Sequence, residues 1–270
     1  MKLKDLGRAL GLRGQTREYP TEVFETTLEE GPIRFARWLH PSEREKTVTQ
    51  ASVDGLRHFL DRGDVAIDIG AHTGDSTVPM ALAVGAEGTV FALEPNPHVF
   101  KVLALNATLN PGRTHIVPLM FAAMPSDGEF DFEYSDEGYC NGGFHQSVSA
   151  WKHGHFSKLR VQGRNLLAYH NAHAPETLPK IRFVKIDTEG FDRAVARTLT
   201  DLLKTSRPFV KTEIYKHMPA VEREGYFDDL RQLGYRLFKC GDTEYRGEPI
   251  LDAKGMSAWR HFDVFAVPEK

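Results

Sequence analysis

The chain has 270 residues, with 34 Lys and Arg against 37 Asp and Glu and a net charge of −3, a balance that gives no support for a nucleic-acid surface. No apolar run approaches the ~20 residues that would span a bilayer. A composition of 41% hydrophobic and 26% charged residues supplies a core for one large domain, or one domain with an added segment. The N-terminus, Met1 to Leu10, lacks the apolar centre of a secretion signal and reads as a short basic solvated or docking helix. Cys140 and Cys240 are far apart and make no metal spacing, so reduced thiols in a cytoplasmic protein are expected.

Residues 1–20 are polar, and Thr21 to Leu28 and Ile33 to Trp38 read as two strands around the turn Glu30-Gly31-Pro32, a hairpin outside the main sheet. From Thr47 to Leu60, Val48, Val53, Leu56, Phe59 and Leu60 fall at helical spacing. Residues 1–60 are therefore expected to be an extension packed on a main domain of residues 61–270.

The main domain is organised around Asp64 to Gly74. Val65 to Ile69 is an apolar run of strand length, a turn with Gly70 and Gly74 follows, and Ser76 to Val84 reads as a helix with Ser76 as N-cap and Pro79 in its first turn. Strand, glycine turn and helix in that order hold nucleotide-like ligands at the carboxyl ends of parallel strands. A dinucleotide fingerprint would need glycine at His72. The spacing D-x-G-x-x-x-G is instead the looser pattern of enzymes that use S-adenosylmethionine, and Asp68 at the strand end suits a cationic group such as the methionine amine.

Thr89 to Leu93 is a second strand ending at Glu94, whose carboxylate, 20 residues beyond Gly74, is placed to accept hydrogen bonds from both ribose hydroxyls. Asn96 and Pro97 are the N-cap and first residue of the next helix, which Asn110-Pro-Gly112 stops. Thr114 to Leu119 is a third strand, and Phe121 and Ala122 beyond it would cover an adenine ring. Glu129 to Tyr134, His145 to Ser149 and Lys158 to Gln162 are less regular strand candidates around the glycine-rich loop Gly138 to Gly143. Ile181 to Ile186 is a buried-type strand ending in Lys185, Asp187 and Glu189, and a helix from Phe191 to Lys204 follows. Phe209 to Tyr215 carries Glu213. Ala220 to Leu233 is a helix with Val221 among its packing positions, and Tyr235 to Lys239 and Phe262 to Val267 form a final antiparallel pair. His170 and His173 read as lying on a solvated loop or helix face.

Asp68-Ile-Gly-Ala-His-Thr-Gly-Asp75, Phe91-Ala-Leu-Glu-Pro-Asn-Pro97, Leu105-Asn106 with Leu109-Asn110, and Lys185-Ile-Asp-Thr-Glu-Gly190 together resemble the FkbM family of S-adenosylmethionine-dependent methyltransferases, from about Asp64 to about Tyr215. His72 stands where many members have asparagine. The resemblance implies an α/β class I methyltransferase fold, with a Rossmann-like seven-stranded sheet, its last strand antiparallel, and helices on both faces. It also implies O-methyl transfer to a small molecule, most often a sugar or polyketide hydroxyl, with a sugar or glycan of a polysaccharide or natural product as the leading acceptor class.

On that reading Asp68, Gly70, His72, Gly74, Glu94, Asn96, Phe121, Ala122 and Asp187 bind the cofactor. Asp187, Glu189, His145 and Lys185 are the catalytic candidates, with one of Asp187, Glu189 and His145 removing the hydroxyl proton. Asp187, Glu189 and Glu213 could offer oxygens to Mg²⁺, but no metal site is assigned. Glu189 could instead cap the following helix, and Glu213 could pair with Lys185 or Lys211. Tyr139, Phe144, Trp151 and Trp259 are candidates to stack on a sugar. No nucleic-acid partner is expected, an oligomer is left open, and a methyltransferase fold that binds without catalysis, or acts on a polyketide or lipid, is the alternative.

Overall fold

The computed structural model describes residues 18–134, 142–143 and 157–269. The expectations for the N-terminal helix, Cys140, His145, Tyr139, Phe144 and Trp151 lie outside these residues. Strands β1 (Thr21–Leu28) and β2 (Gly31–Trp38) form the expected hairpin, a two-stranded sheet of its own. The helix read over Thr47 to Leu60 is shorter, α1 (Gln50–Arg57), because a capping box between Thr49 and Ser52 starts it.

The first β-α-β unit follows the local pattern closely. Strand β3 (Val65–Ile69) is buried at every position, and the eight residues of α2 (Thr77–Val84) are buried as well. Ser76 is the N-cap by position, but its hydroxyl makes no cap bond and donates to Asp68 Oδ2 at 2.7 Å. Next come β4 (Thr89–Leu93), α3 (Pro97–Asn106) and β5 (Ile116–Leu119). Asn96 caps α3 as expected, its side-chain oxygen accepting the His98 amide at 3.0 Å.

After β5 the strand candidates Glu129 to Tyr134 and Lys158 to Gln162 are both strands, and they belong to a second sheet. Its strands are β6 (Ala122–Ala123), β7 (Gly128–Tyr134), β8 (Gly142–Gly143) and β9 (Ser157–Arg164), in the order β6-β9-β7-β8. Met124, Phe132, Tyr134 and Val161 bury one face of it, with Phe191 packed against them. Helix α4 (Leu166–His173) had no expected counterpart, and it corrects the reading of His170. That ring is buried, 4.4 Å from the Phe91 ring, and burial drives it down to about 4.

The second half supplies β10 (Ile181–Ile186), α5 (Asp192–Thr198), α6 (Thr200–Thr205), β11 (Phe209–Ile214), α7 (Ala220–Gln232), β12 (Tyr235–Cys240), β13 (Pro249–Ile250) and β14 (Phe262–Pro268). The single helix expected from Phe191 to Lys204 is two, parted at Leu199. Val221, expected to pack, is 70% exposed, while Tyr226 and Leu230 are buried.

The main sheet runs β13-β12-β14-β11-β10-β3-β4-β5. From β5 to β11 all neighbours are parallel, and β14 is antiparallel to both β11 and β12. This is the expected seven-stranded arrangement, with the two-residue β13 added at the β12 edge. Val65, Ile67 and Ile69 face one apolar cluster and Ala66 the other, so helices cover both faces.

Asn106 and Asn110 dock the hairpin on α3. Asn106 accepts the Ala36 amide at 2.7 Å and donates to Ala36 O at 3.0 Å and Thr73 O at 2.7 Å. Asn110 pairs with the backbone of Arg34 in the same way, at 2.9 Å in both directions. Each carboxamide thus supplies the donor and acceptor that a neighbouring strand would supply.

Candidate active site

The carboxyl ends of the central strands open into a cavity of about 1250 Å³. Of the two glycines in the turn after β3, Gly70 lines the cavity and Gly74 does not. Gly70 has φ +77, and a Cβ there would overlap the Asp187 carbonyl oxygen, so the two crossover loops touch only because the side chain is absent. Gly74 has φ +95 and lies against Leu103 of α3.

Glu94 lines this cavity at the end of β4. Its Oε2 accepts the His72 amide at 3.0 Å and its Oε1 the Asn96 amide at 2.9 Å. Both oxygens are thereby fixed, each with a lone-pair direction to spare. Burial raises the carboxyl to about 7, against the pull of those two amides and of Lys46 and Lys185. Phe121 and Ala122 are buried in the wall of the same cavity, with the Tyr169 ring 5.0 Å from that of Phe121.

Asp68 is placed differently from the expectation that it meets a ligand amine. It is fully buried beneath the cavity. Its Oδ2 accepts the hydroxyls of Ser76 at 2.7 Å and Thr77 at 2.6 Å, and its Oδ1 lies 3.4 Å from Lys185 Nζ. Lys185 stands between it and Asp187, 3.2 Å from Asp187 Oδ2. Burial opposes the Lys185 charge, but Asp187 and Asp68 outweigh it and raise the lysine above its ordinary range.

Strand register explains who meets whom. Asp68, Lys185 and Lys211 are Cα partners across β3, β10 and β11, and Glu213 is the partner of Asp263 across β11 and β14. Lys185 takes Asp68 and Asp187, and Lys211 takes Asp263 at 3.1 Å. Glu213 therefore pairs with neither lysine, contrary to the expectation from sequence. Its neighbour is His261, with Nε2 3.3 Å from Oε1. Burial, and then the charges of Asp187, Asp192, Glu189 and Asp263, push Glu213 up to about 10.

Glu189 does not cap the following helix either. Asp192 closes that turn, accepting the amides of Thr188 at 3.2 Å and Gly190 at 3.0 Å. Glu189, with φ +55, lines the cavity, and burial together with the charge of Asp187 raises it to about 7. Trp259 lies beside Phe262, with Lys239 Nζ over its ring at 4.4 Å.

One consequence is measurable in the fold itself. Between its ordinary range and about 10, folded Glu213 keeps a proton that the unfolded chain has released, so stability falls as pH rises through that interval. His170 acts oppositely, but only below its ordinary value of 6.5. From pH 8 to pH 9, above the range in which Glu94 and Glu189 lose their protons, thermal denaturation should therefore show a falling midpoint, with Glu213 contributing up to ~1.4 kcal/mol of stability per pH unit, and Glu213→Gln should flatten the slope. An equally steep slope in the variant would refute the assignment.

The structure thus brings together Gly70, His72, Glu94, Asn96, Phe121, Ala122, Lys185, Asp187 and Glu189 around one cavity. It sets Asp68 below them, and His145 lies outside the described residues. Lys46, Asp75, Tyr215, His261 and Asp263 line the cavity too and were not singled out from sequence. Only Asp263 left a signal, as a charge inside an apolar strand. Among the described residues no group of three His, Cys, Asp or Glu side chains is arranged to hold a metal ion, and no helix is long and apolar enough to cross a membrane.

The strand order, the glycine turn after the first central strand and the acid ending the second are those of the class I methyltransferase fold. Residues 68–242 match the family model of the methyltransferase FkbM domain, and the chain belongs to that family. It is similar to the hexuronic acid methyltransferase AglP of Haloferax volcanii, 29% identical over 165 residues that span 60% of this chain and 62% of that protein. Less than two thirds of that relative is therefore matched. Among solved structures it is similar to the methyltransferase FkbM from Methylobacillus flagellatus KT, with 14% identity, 82% of this chain and 48% of the other covered, and a TM-score of 0.45. It is also similar to an S-adenosylmethionine-dependent O-methyltransferase from Thermotoga maritima, with 15% identity, coverage of 92% and 78%, and a TM-score of 0.43.

Proposed function

We propose that the chain transfers the methyl group of S-adenosylmethionine to an oxygen of a sugar or glycan, with a hydroxyl of a hexuronic acid as the first acceptor to test. The observation that carries this reading is Glu94, whose carboxylate is fixed by two amides at the edge of a cavity that Glu189 also lines. The fit to this cofactor rests on the donor set. Glu94 offers two oriented acceptors to ribose hydroxyls, and Phe121 and Ala122 offer an apolar wall to adenine. When bound, the cofactor supplies an activated methyl carbon and a neutral thioether leaving group.

The residues of the chain do the rest. Asp187 is held by Lys185 and by its own amide on Ile69 O at 3.0 Å, so it can orient an acceptor hydroxyl. Glu189, raised to about 7, is matched to take the hydroxyl proton near neutral pH. Lys185 acts by holding Asp187, and Asp68 by holding Lys185. The preference for an acidic sugar is supported by the similarity to the hexuronic acid methyltransferase of Haloferax volcanii.

Titration calorimetry with S-adenosylmethionine and S-adenosylhomocysteine comes first, followed by mass-detected methyl transfer to glucuronic acid, methyl glucuronoside and glucose. Binding of both cofactor forms and a methylated glucuronoside stable to mild alkali are the expected results. An alkali-labile product would move the acceptor oxygen from a hydroxyl to the carboxylate. Absence of binding by the folded protein would refute the methyl-transfer reading.

A further inference from the structure

Residues 39–49 join the hairpin to α1 without regular structure, and Glu43, Arg44, Lys46 and Thr47 line the same cavity as Gly70 and Glu94. Lys46 is the centre of this strap. Its Nζ lies 2.8 Å from Glu43 Oε1, 2.9 Å from Asp75 Oδ1 and 2.9 Å from His72 Nδ1. An ammonium has three protons to donate, and these three partners come from the strap and from both sides of the glycine turn. His72 is the residue whose amide holds Glu94 Oε2. It stands at φ +49, the left-handed region that few non-glycine residues occupy, histidine more readily than most.

We propose that Lys46 is a positioning residue for the cofactor, clamping the His72 turn that orients Glu94 and supplying positive charge beside that carboxylate. The inference rests on the proposed S-adenosylmethionine site and adds to it, because Lys46 lies outside the segment 68–242 that the family model matches. The electrostatics agree with the geometry. Burial opposes the Lys46 charge, but Asp75 and Glu43 outweigh it and raise the lysine above its ordinary range. Lys46 in turn pulls down Glu94, which burial holds at about 7. Lys185 at the end of β10 is the other charge that acts on Glu94, and His72 and Asp75 from the glycine turn, Glu43 from the strap and Asp187 and Glu189 after β10 line the same cavity.

An ionised Glu94 accepts two hydroxyl hydrogen bonds, and a protonated one gives up part of that capacity. Affinity for S-adenosylhomocysteine should then rise with pH through about 7 in the wild type. Removing the Lys46 charge should move this midpoint to higher pH.

The test is calorimetric titration of the full chain with S-adenosylhomocysteine from pH 6 to pH 9, for the wild type, Lys46→Gln and Lys46→Arg, with thermal melts to verify folding. Lys46→Gln is expected to weaken binding about 10-fold or more at pH 7, to move the midpoint upward, and to recover part of the loss at pH 9. Lys46→Arg keeps the charge and is expected to keep the wild-type midpoint. Equal affinity and midpoint in wild type and Lys46→Gln would overturn the inference and leave the cofactor site standing. A loss in Lys46→Gln that is uniform across pH would overturn it as well, because a purely structural role predicts that. If Lys46→Gln does not fold, a midpoint displaced in Lys46→Arg overturns it. Failure of the folded wild type to bind would overturn both this inference and the proposed function.

Discussion

Lys185→Met is expected to lower the unfolding free energy by about 3–5 kcal/mol, the largest stability loss among single changes at the site. The ammonium lies 3.4 Å from Asp68 Oδ1, 3.2 Å from Asp187 Oδ2 and 3.4 Å from Gly70 O. Methionine fills much of the same volume, so packing changes little and the effect reports charge. What it leaves behind is Asp68, fully buried, with the hydroxyls of Ser76 and Thr77 on one oxygen and no cation for the other. Asp187 is half-exposed and can turn to water, so Asp68 carries the cost. Urea denaturation measures the loss. The double change with Asp68→Asn should recover part of it, since removing both charges costs less than stranding one. A loss below about 1 kcal/mol in the single variant would show that these acids do not depend on the lysine.

Glu94→Gln is expected to weaken S-adenosylhomocysteine binding by about 100-fold while the protein stays folded. Hydrogen bonds to a charged acceptor contribute about 1.5–3 kcal/mol each, and glutamine keeps the shape and one oxygen but not the charge. The same substitution should remove the rise of affinity through pH 7, because the group that titrates at about 7 is gone. Glu94→Ala should cost more in stability than Glu94→Gln, since the amides of His72 and Asn96 then lose their acceptor. Calorimetry across pH with thermal melts reads all three effects. Undiminished binding by Glu94→Gln would place the ribose elsewhere in the cavity.

The opening β-α-β unit was legible from the sequence because its signals are local. The buried run Val65 to Ile69, the glycines at 70 and 74 and the Asn96-Pro97 helix start each act within a few residues. Burial on both faces demands an unbroken apolar strand, and a left-handed turn favours glycine. Those demands also placed Glu94, Asp187 and Glu189 at strand ends facing one cavity. Residues 121 to 164 were harder to read. Their strands pair with one another instead of with the central sheet, and a short polar strand does not announce its partner.

The sequence by itself determined the opening β-α-β order, the glycine turn and the acids at the strand ends, since each depends on backbone geometry over a few residues. Only the tertiary structure decided the pairings. Lys185 meets Asp68 and Asp187, Lys211 meets Asp263, and Glu213 is left to His261. Asn106 and Asn110 prove to hold the hairpin, and Lys46 reaches the glycine turn from the segment between the hairpin and α1. Charges far apart in the chain are brought into contact by strand register and loop closure. Whether a buried carboxylate gains a cation or keeps its proton therefore depends on a neighbour that its own stretch of sequence does not name.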